Sequence, residues 1–168
     1  SLVIERLDAA VAAICAAKRV EFYGFGASAA VAFDAQHKFF RLQITSAAYS
    51  DPHLQNMSAT SLHAGDVVVA ISQSGRTKAL LDSMDLVKKA NGIVIAIAPS
   101  GSPIARNATI AIEVDAKEDI QIYTPLSSRI AHLAVIDVLA IGVAQKKGPQ
   151  LQQHLQQLQE GLSSLRSD

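Results

Sequence analysis

The sequence predicts an α/β fold in which helices cover both faces of a parallel β-sheet. Short apolar runs rich in valine and isoleucine alternate with longer segments of helical periodicity. This alternation is typical of βα units, whose strands pair in parallel and are buried on both faces. Hydrophobic residues make up 49% of the 168 residues, which suits one compact domain with a sizeable core.

The elements follow one another in strict alternation. Apolar residues recur at helical spacing from Leu2 to Ile14, so the chain opens with an amphipathic helix. Right-handed crossovers then bring the ends of the strands and the starts of the helices to one edge of the sheet. The predicted strands are residues 19–25, 45–49, 67–71, 93–98 and 110–114. The predicted helices after them are 28–42, short ones from Pro52 and from Pro103, 78–90, and a long apolar helix from Ser127 or Ser128 to Ala144.

The run Lys146-Lys147-Gly148-Pro149 divides the predicted domain, residues 1–145, from a C-terminal helix over residues 146–168. Leucines recur beyond the break in alternating steps of four and three residues, which makes a narrow seam suited to a partner helix. The seam therefore indicates oligomerisation, although a tail helix folded on its own domain fits the same pattern. The leucines are Leu151, Leu155, Leu158, Leu162 and Leu165.

Composition excludes several function classes. Basic and acidic residues both number 15, so this segment has no cationic surplus with which to grip DNA by itself. The single cysteine, Cys15, cannot form an internal disulfide, which favours the cytoplasm. No secretory signal is visible, and apolar runs such as 67–71 are too short to span a bilayer, so we expect no membrane association.

A glycine-rich turn, Gly24-Phe25-Gly26-Ala27-Ser28, joins the first predicted strand to the following helix. Glycines allow a tight turn and the close approach of a ligand, and a helix start favours anions. Gly26 and Ser28 are the candidate phosphate-binding residues of this motif. An ordinary strand-to-helix turn with Ser28 as N-cap is the alternative.

A second motif, Ser72-Gln73-Ser74-Gly75-Arg76-Thr77, lies between a strand and a helix. Three hydroxyls around a glycine turn exceed what a helix cap needs, and a phosphate dianion requires several convergent neutral donors. We therefore predict a phosphate cradle here, which we call the serine loop. Its candidate binding residues are Ser72, Gln73, Ser74, Gly75 and Thr77.

Two nucleotide-binding interpretations compete with this cradle. No Gly-Lys-Ser or Gly-Lys-Thr occurs, which argues against nucleoside triphosphate chemistry. Gly24, Gly26 and Ala29 fit the dinucleotide pattern G-x-G-x-x-A, with Asp51 at a plausible distance to hold a ribose. That interpretation leaves the serine loop unexplained, so the cradle is preferred.

At these motifs the chain resembles the SIS (sugar isomerase) domain, which pairs a Gly-x-Gly-x-Ser turn with a Ser-x-Ser-Gly-x-Thr loop around a sugar phosphate. The pattern continues at Ser102-Pro103-Ile104-Ala105 and over residues 128–139. The last stretch is similar to the effector domains of RpiR-type transcription regulators, the HexR-like group in particular. The resemblance covers roughly Leu2 to Ala144, and one departure is Gln43, where such regulators often have Gly.

The resemblance implies a three-layer α/β/α sandwich with a five-stranded, flavodoxin-like parallel sheet, usually in a homodimer. It also implies a phosphosugar effector, with 2-keto-3-deoxy-6-phosphogluconate as the first candidate. Such regulators bind DNA through a helix-turn-helix domain that is absent from this chain, which fits a fragment that begins at a residue other than Met. We expect a ligand-linked sensor and not an enzyme, with no cofactor and no metal.

An aldose–ketose isomerase is the main alternative, because the SIS fold also hosts such enzymes. Glu118 lies where sugar-phosphate isomerases carry a catalytic Glu, but the Cys-Pro-containing run typical of them is missing after it. In a sensor, Glu118, Arg129 and His132 are candidates for binding the sugar or its carboxylate. A cation such as Arg129 gains nothing from the dipole at a helix start, so a ligand carboxylate or an interface partner would explain its place.

Overall fold

The computed structural model describes residues 1–116 and 127–166. It contains a five-stranded sheet with the strand order β2-β1-β3-β4-β5, in which every pairing is parallel. The described elements are α1 Leu2–Ala16, β1 Val20–Tyr23, α2 Ala27–Arg41, β2 Ser46–Tyr49, α3 Pro52–Thr60, β3 Val67–Ile71, α4 Lys78–Lys89, β4 Ile93–Ala98, α5 Pro103–Asn107, β5 Ile110–Glu113, α6 Ser127–Lys147 and α7 Pro149–Ser163.

Successive residues of the central strands enter two separate cores. On β3, Val67 and Val69 pack beneath α1, α2 and α6, whereas Val68 enters the core beneath α3, α4 and α5. Period-two alternation in which both faces are apolar explains why this strand reads as an uninterrupted hydrophobic run. The predicted three-layer α/β/α sandwich with a five-stranded parallel sheet is confirmed.

Local sequence sets where several helices begin. The side chain of Ser1 accepts a hydrogen bond from the backbone N–H of Ile4, and Asp51 caps α3 in the same way. Ser102 caps α5, and Pro52 and Pro103 occupy first-turn positions where no N–H is needed. These caps lie at the starts that the sequence predicts for the two short helices.

The α6 helix has the length and composition of a membrane span, with 21 residues and a mean hydropathy of 1.5. The expectation of no membrane association rests on shorter apolar runs, such as residues 67–71, and does not consider α6 as a membrane span. In the structure α6 packs against α1 and α2, and its buried side includes Ile136, Leu139 and Val143. Asp137, halfway along α6, forms an ion pair with Lys38 of α2. The helix therefore has the contacts of a core helix in an α/β domain.

The leucine seam of α7 is only partly covered by the domain. Leu151 is buried in the core beneath α1, α2 and α6, and Leu155 packs against that core. Leu162 is 47% exposed and Leu165, beyond the end of the helix, is 78% exposed. The start of the seam thus anchors α7 to the domain, whereas the leucines at its end are exposed in the described structure.

Candidate functional site

The two predicted motifs meet at the carboxyl edge of the sheet, between β1 and β3. β1 pairs with β2 on one side and with β3 on the other, and the chain crosses from β2 past β1 to β3, so this is the switch point of the sheet. Ligands of open α/β sheets bind at such crevices. A pocket of about 310 Å³ lies there, lined by Phe25, Gly26, Ala27, Ser28, Ile71, Ser72, Gln73, Ser74 and Thr77.

Two glycines shape the first side of this pocket. A Cβ on Gly24 would lie 2.5 Å from the backbone oxygen of Ser28, so only glycine lets the strand end so close to α2. Gly26 has a φ of 55° and is the N-cap of α2. The alternative in which Ser28 is the N-cap is therefore wrong, because Gly26 is the N-cap and the helix already begins at Ala27. Ser28 instead lies within the first turn, buried at the lining of the pocket.

The serine loop uses its own backbone to orient its hydroxyls. The Oγ of Ser72 accepts a hydrogen bond from the backbone N–H of Gly75 at 2.9 Å, and it lies 3.4 Å from the Oγ1 of Thr77. The Oγ of Ser74 accepts one from the backbone N–H of Arg76 at 3.2 Å. Ser74 keeps its O–H as a donor, and Ser72 and Thr77 share one contact between their hydroxyls, in which either can be the donor. A ligand with strong acceptors, such as a phosphate, matches what the loop offers.

Thr77 is the N-cap residue of α4, yet its side chain makes no capping hydrogen bond. Its hydroxyl lies instead against Ser72 at the lining of the pocket. The positive dipole ends of α2 and α4 therefore both lie at this crevice, and neither is capped by a side chain. The nine lining residues carry no formal charge. Neutral donors and two helix ends supply the attraction for an anion.

Support for the serine loop comes from a segment that the sequence did not place in the site. A Cβ on Gly75 would lie 2.3 Å from both Cβ and Oγ of Ser102, and Gly75 has a φ of 69°. The backbone N–H of Ile104 donates to the carbonyl oxygen of Gly75 at 2.9 Å. The run Ser102-Pro103-Ile104 thus supports the back of the loop. In the sequence, the only indication of this role is that the run continues the pattern of the family that the chain resembles.

The remaining predicted site residues lie elsewhere or outside the described residues. Arg129 and His132 belong to the first two turns of α6, and no α6 residue is among those lining this pocket in the described chain. Arg129 is half-buried. His132 is buried and already interacts with other residues of the chain. Glu118 lies outside the described residues.

A buried carboxylate on β1 was also missed. Glu21 is fully buried and accepts hydrogen bonds from Arg19 at 2.6 Å, from the hydroxyl of Tyr23 at 2.7 Å and from Ser58. Burial raises the pKa of Tyr23 far above its ordinary value, and the negative charge of Glu21 raises it further. The hydrogen bond to Glu21 raises the pKa of Arg19 as well. Because both oxygens of Glu21 are occupied, the cluster serves to tie α3 to the sheet.

Comparison with known proteins places this architecture in a family. The family model of the SIS domain matches residues 13–142. The chain is 42% identical over 156 residues to the HTH-type transcriptional regulator HexR of Pseudomonas aeruginosa, covering 93% of this chain and 55% of that protein. HexR of Escherichia coli is 43% identical over 162 residues, covering 96% and 56%. The chain thus spans about half the length of these curated relatives.

Solved structures show the same fold. Vibrio vulnificus NanR, complexed with ManNAc-6P, superposes with a TM-score of 0.84 at 23% identity, over 98% of this chain and 62% of that one. The sugar isomerase domain of an RpiR transcription factor from Sphaerobacter thermophilus gives 0.81 at 23% identity, over 93% and 86%. The matched family model, the parallel sheet and the two loops at its switch point agree, and the chain belongs to the SIS domain family.

Proposed function

We propose that this chain is the effector domain of a transcription regulator of carbohydrate catabolism, and that it binds a phosphorylated sugar. The observation that carries the proposal is the convergence of the glycine-rich turn and the serine loop on one uncharged pocket. Gly26, Ser28, Ser72, Gln73, Ser74, Gly75 and Thr77 bind the phosphate. The fixed hydroxyls of Ser72 and Ser74 support this assignment, because hydroxyl donors suit phosphate oxygens.

The named relatives support the regulatory part of the proposal. HexR proteins are more than 40% identical to the chain over nearly its whole length, and the NanR structure of the same fold holds a phosphosugar. The domain acts in the cytoplasm as a homodimer and reaches DNA only through a separate helix-turn-helix domain. Ligand binds one arrangement of the dimer more tightly and thereby shifts DNA affinity, without catalysis.

The first candidate ligand is 2-keto-3-deoxy-6-phosphogluconate, which carries a carboxylate as well as a phosphate. The phosphate pocket offers no cation for the carboxylate. Arg129 is the proposed partner, because a half-buried cation at the start of α6 lies at the unfavourable end of that helix dipole. Glu118 and His132 are proposed to contact the sugar hydroxyls.

A thermal-shift screen tests the proposed binding of the phosphate and of the carboxylate of the ligand. The chain is titrated with 2-keto-3-deoxy-6-phosphogluconate, fructose 6-phosphate, NADH and inorganic phosphate, and the same set is applied to Arg129→Gln. A phosphosugar is expected to raise Tm well beyond inorganic phosphate through mass action. Arg129→Gln is expected to weaken binding of the sugar acid about 10- to 100-fold and to leave fructose 6-phosphate unchanged. Arg166→Gln, an exposed arginine beyond the end of α7, is the matched control.

The outcomes separate the alternatives. A response to NADH alone would support a dinucleotide site, and turnover of a phosphosugar that is lost in Glu118→Gln would support an isomerase. Equal losses for both phosphosugars in Arg129→Gln would remove the carboxylate assignment and keep the cradle. No response to any phosphosugar would overturn the proposed function.

A further inference from the structure

The helices α2 and α6 lie side by side and expose large apolar side chains to solvent. Phe33 and Phe40 on α2 are 51% and 64% exposed, and Ile130 and Ile141 on α6 are 65% and 58% exposed. With Val138, at 49%, these five residues define the α2–α6 face. Lys38 and Asp137 form an ion pair across the line where the two helices meet.

The composition of α6 suits a helix that is covered on more than one side. Only 28% of its most apolar window is buried in the described structure, although the mean hydropathy of that window is 1.5. A helix that is hydrophobic on most of its circumference is normally enclosed. Within the described residues, the domain covers the side that contains Ile136 and Leu139 and leaves the opposite side open to a partner.

The charges on this face favour a second copy of the same chain. Asp34 and Asp137 carry negative charges, and Lys38 between them carries a positive one. Lys38 already contacts Asp34, at 3.2 Å, as well as Asp137. In a twofold dimer each patch meets itself, so a patch with a net charge would repel its copy. This face carries both signs, and Lys38 pairs with both carboxylates, so the repulsion between two copies is small. Charged groups at its centre also make it unsuitable for insertion into a lipid bilayer.

The exposed area is of the size that a dimer requires. With about 200 Å² for a complete aromatic side chain and somewhat less for an aliphatic one, the exposed fractions amount to roughly 500 Å² of apolar surface per copy. A stable dimer buries about 800 Å² per partner, and about 65% of a homodimer interface is apolar. The α2–α6 face supplies that apolar share.

We propose that the α2–α6 face is the homodimer interface and that α2 couples it to the ligand pocket. The inference rests on the homodimer of the proposed function and assigns its surface. The same helix that exposes Phe33 and Phe40 begins with Ala27 and Ser28 at the lining of the pocket. A ligand that shifts α2 therefore shifts the interface. The leucine seam of α7 is a lesser candidate, because Leu151 is already in the core.

Sedimentation equilibrium over a range of concentrations tests this assignment. Wild type is compared with Ile130→Arg and Ile141→Arg on the face, with Leu165→Arg beyond α7, and with Met57→Arg on the exposed side of α3. All four positions are about half exposed or more in the single chain, so the folded domain is expected to tolerate each arginine. Circular dichroism and Tm verify folding. The two α6 variants are expected to raise the dimer dissociation constant roughly 100-fold, because twofold symmetry places each arginine in the interface twice.

Dimerisation equal to wild type is expected for Leu165→Arg and Met57→Arg. The assignment is overturned if the wild type is a monomer, if the α6 variants remain dimeric, or if only Leu165→Arg dissociates. Flotation of the wild type with anionic vesicles, lost in Ile141→Arg, would also overturn it in favour of a membrane. Phosphosugar binding in the thermal-shift screen is read independently, so loss of the interface assignment leaves the proposed function standing.

Discussion

The hydroxyls of Ser72 and Ser74 each stabilise the serine loop and also line the pocket. Ser72 holds the turn of the serine loop by accepting the N–H of Gly75, and it lines the pocket. Ser74 does the same for the N–H of Arg76. From the sequence, the cluster of hydroxyls predicts a phosphate-binding loop at this place. The contact of Gly75 with Ser102 could not be predicted, because it joins the loops after two different strands and depends on how those strands pair.

Replacement of the loop serines tests the phosphate assignment. We expect Ser72→Ala and Ser74→Ala each to weaken phosphosugar binding by about 1–3 kcal/mol, the value of a lost charge-assisted hydrogen bond. Ser72→Ala also leaves the N–H of Gly75 without its acceptor, so its Tm falls as well. Isothermal titration measures the affinity, with Ser163→Ala on α7 as the control. Wild-type affinity in both loop variants would contradict the cradle.

A series of glycine substitutions tests the support behind the loop. Gly75→Ala combines a left-handed φ with a clash against Ser102, and we expect a loss of about 2–4 kcal/mol in the free energy of unfolding. Gly101→Ala has the left-handed φ and open space, so about 1 kcal/mol is expected. Gly161→Ala, in open space on α7, is expected to gain about 0.5–1 kcal/mol. Urea unfolding ranks the three, and equal losses would contradict the clash.

At the scale of elements, the sequence predicts order and type more reliably than ends. The first strand was expected over residues 19–25 but ends at Tyr23, because Gly24 already turns toward α2. The α6 helix was expected to end at Ala144 but continues to Lys147, since basic side chains suit the last turn and only Gly148-Pro149 stops it. Gln43 adopts a φ of 60°, a left-handed conformation that favours glycine.

An ion pair between elements ties α1 to the end of β5. Arg6 contacts Glu113 at 2.5 Å, and Glu113 also accepts the backbone N–H of Gly101, which lies in the segment that carries Ser102. Arg6 lowers the pKa of Glu113, and the Gly101 N–H lowers it further. Hydrogen bonds from Ser100 lower the pKa of Asp115 in the same way. These bonds connect the first helix with the loop that supports the phosphate cradle.

This arrangement predicts a pH dependence of stability. A carboxylate with a lowered pKa in the folded state adds stability above its ordinary pKa of about 4.3, and that contribution is lost as pH falls through the folded value. Glu113→Gln is expected to lower Tm near neutral pH and to flatten the decline of Tm below about pH 5. Thermal unfolding across this range measures both effects, with the exposed Glu160→Gln as control. A decline as steep as in wild type would mean that the ion pair contributes nothing.

For the whole molecule, alternation of strands and helices was sufficient to predict the layers and the position of the pocket. A parallel sheet brings all strand ends to one edge, so two motifs after β1 and β3 had to meet once those strands paired. The sequence did not predict which surface α6 leaves open, because its apolar residues surround the helix and only packing decides which side is covered. The leucine spacing likewise predicts an apolar stripe along α7, but it does not predict that only the first leucines of the stripe pack against the domain.

The double role of the serine loop restricts how this chain can change over evolutionary time. In the proposed phosphate cradle, a substitution at Ser72 would remove a ligand donor and loosen the turn together, so neither property could be adjusted alone. Gly75 is confined in the same way by Ser102. New ligand preferences in a lineage of such chains must therefore arise away from the loop, in positions such as the first turns of α6. On the proposed function, the phosphate is then the constant part of the ligand, and the rest of the ligand is the part that selection can change.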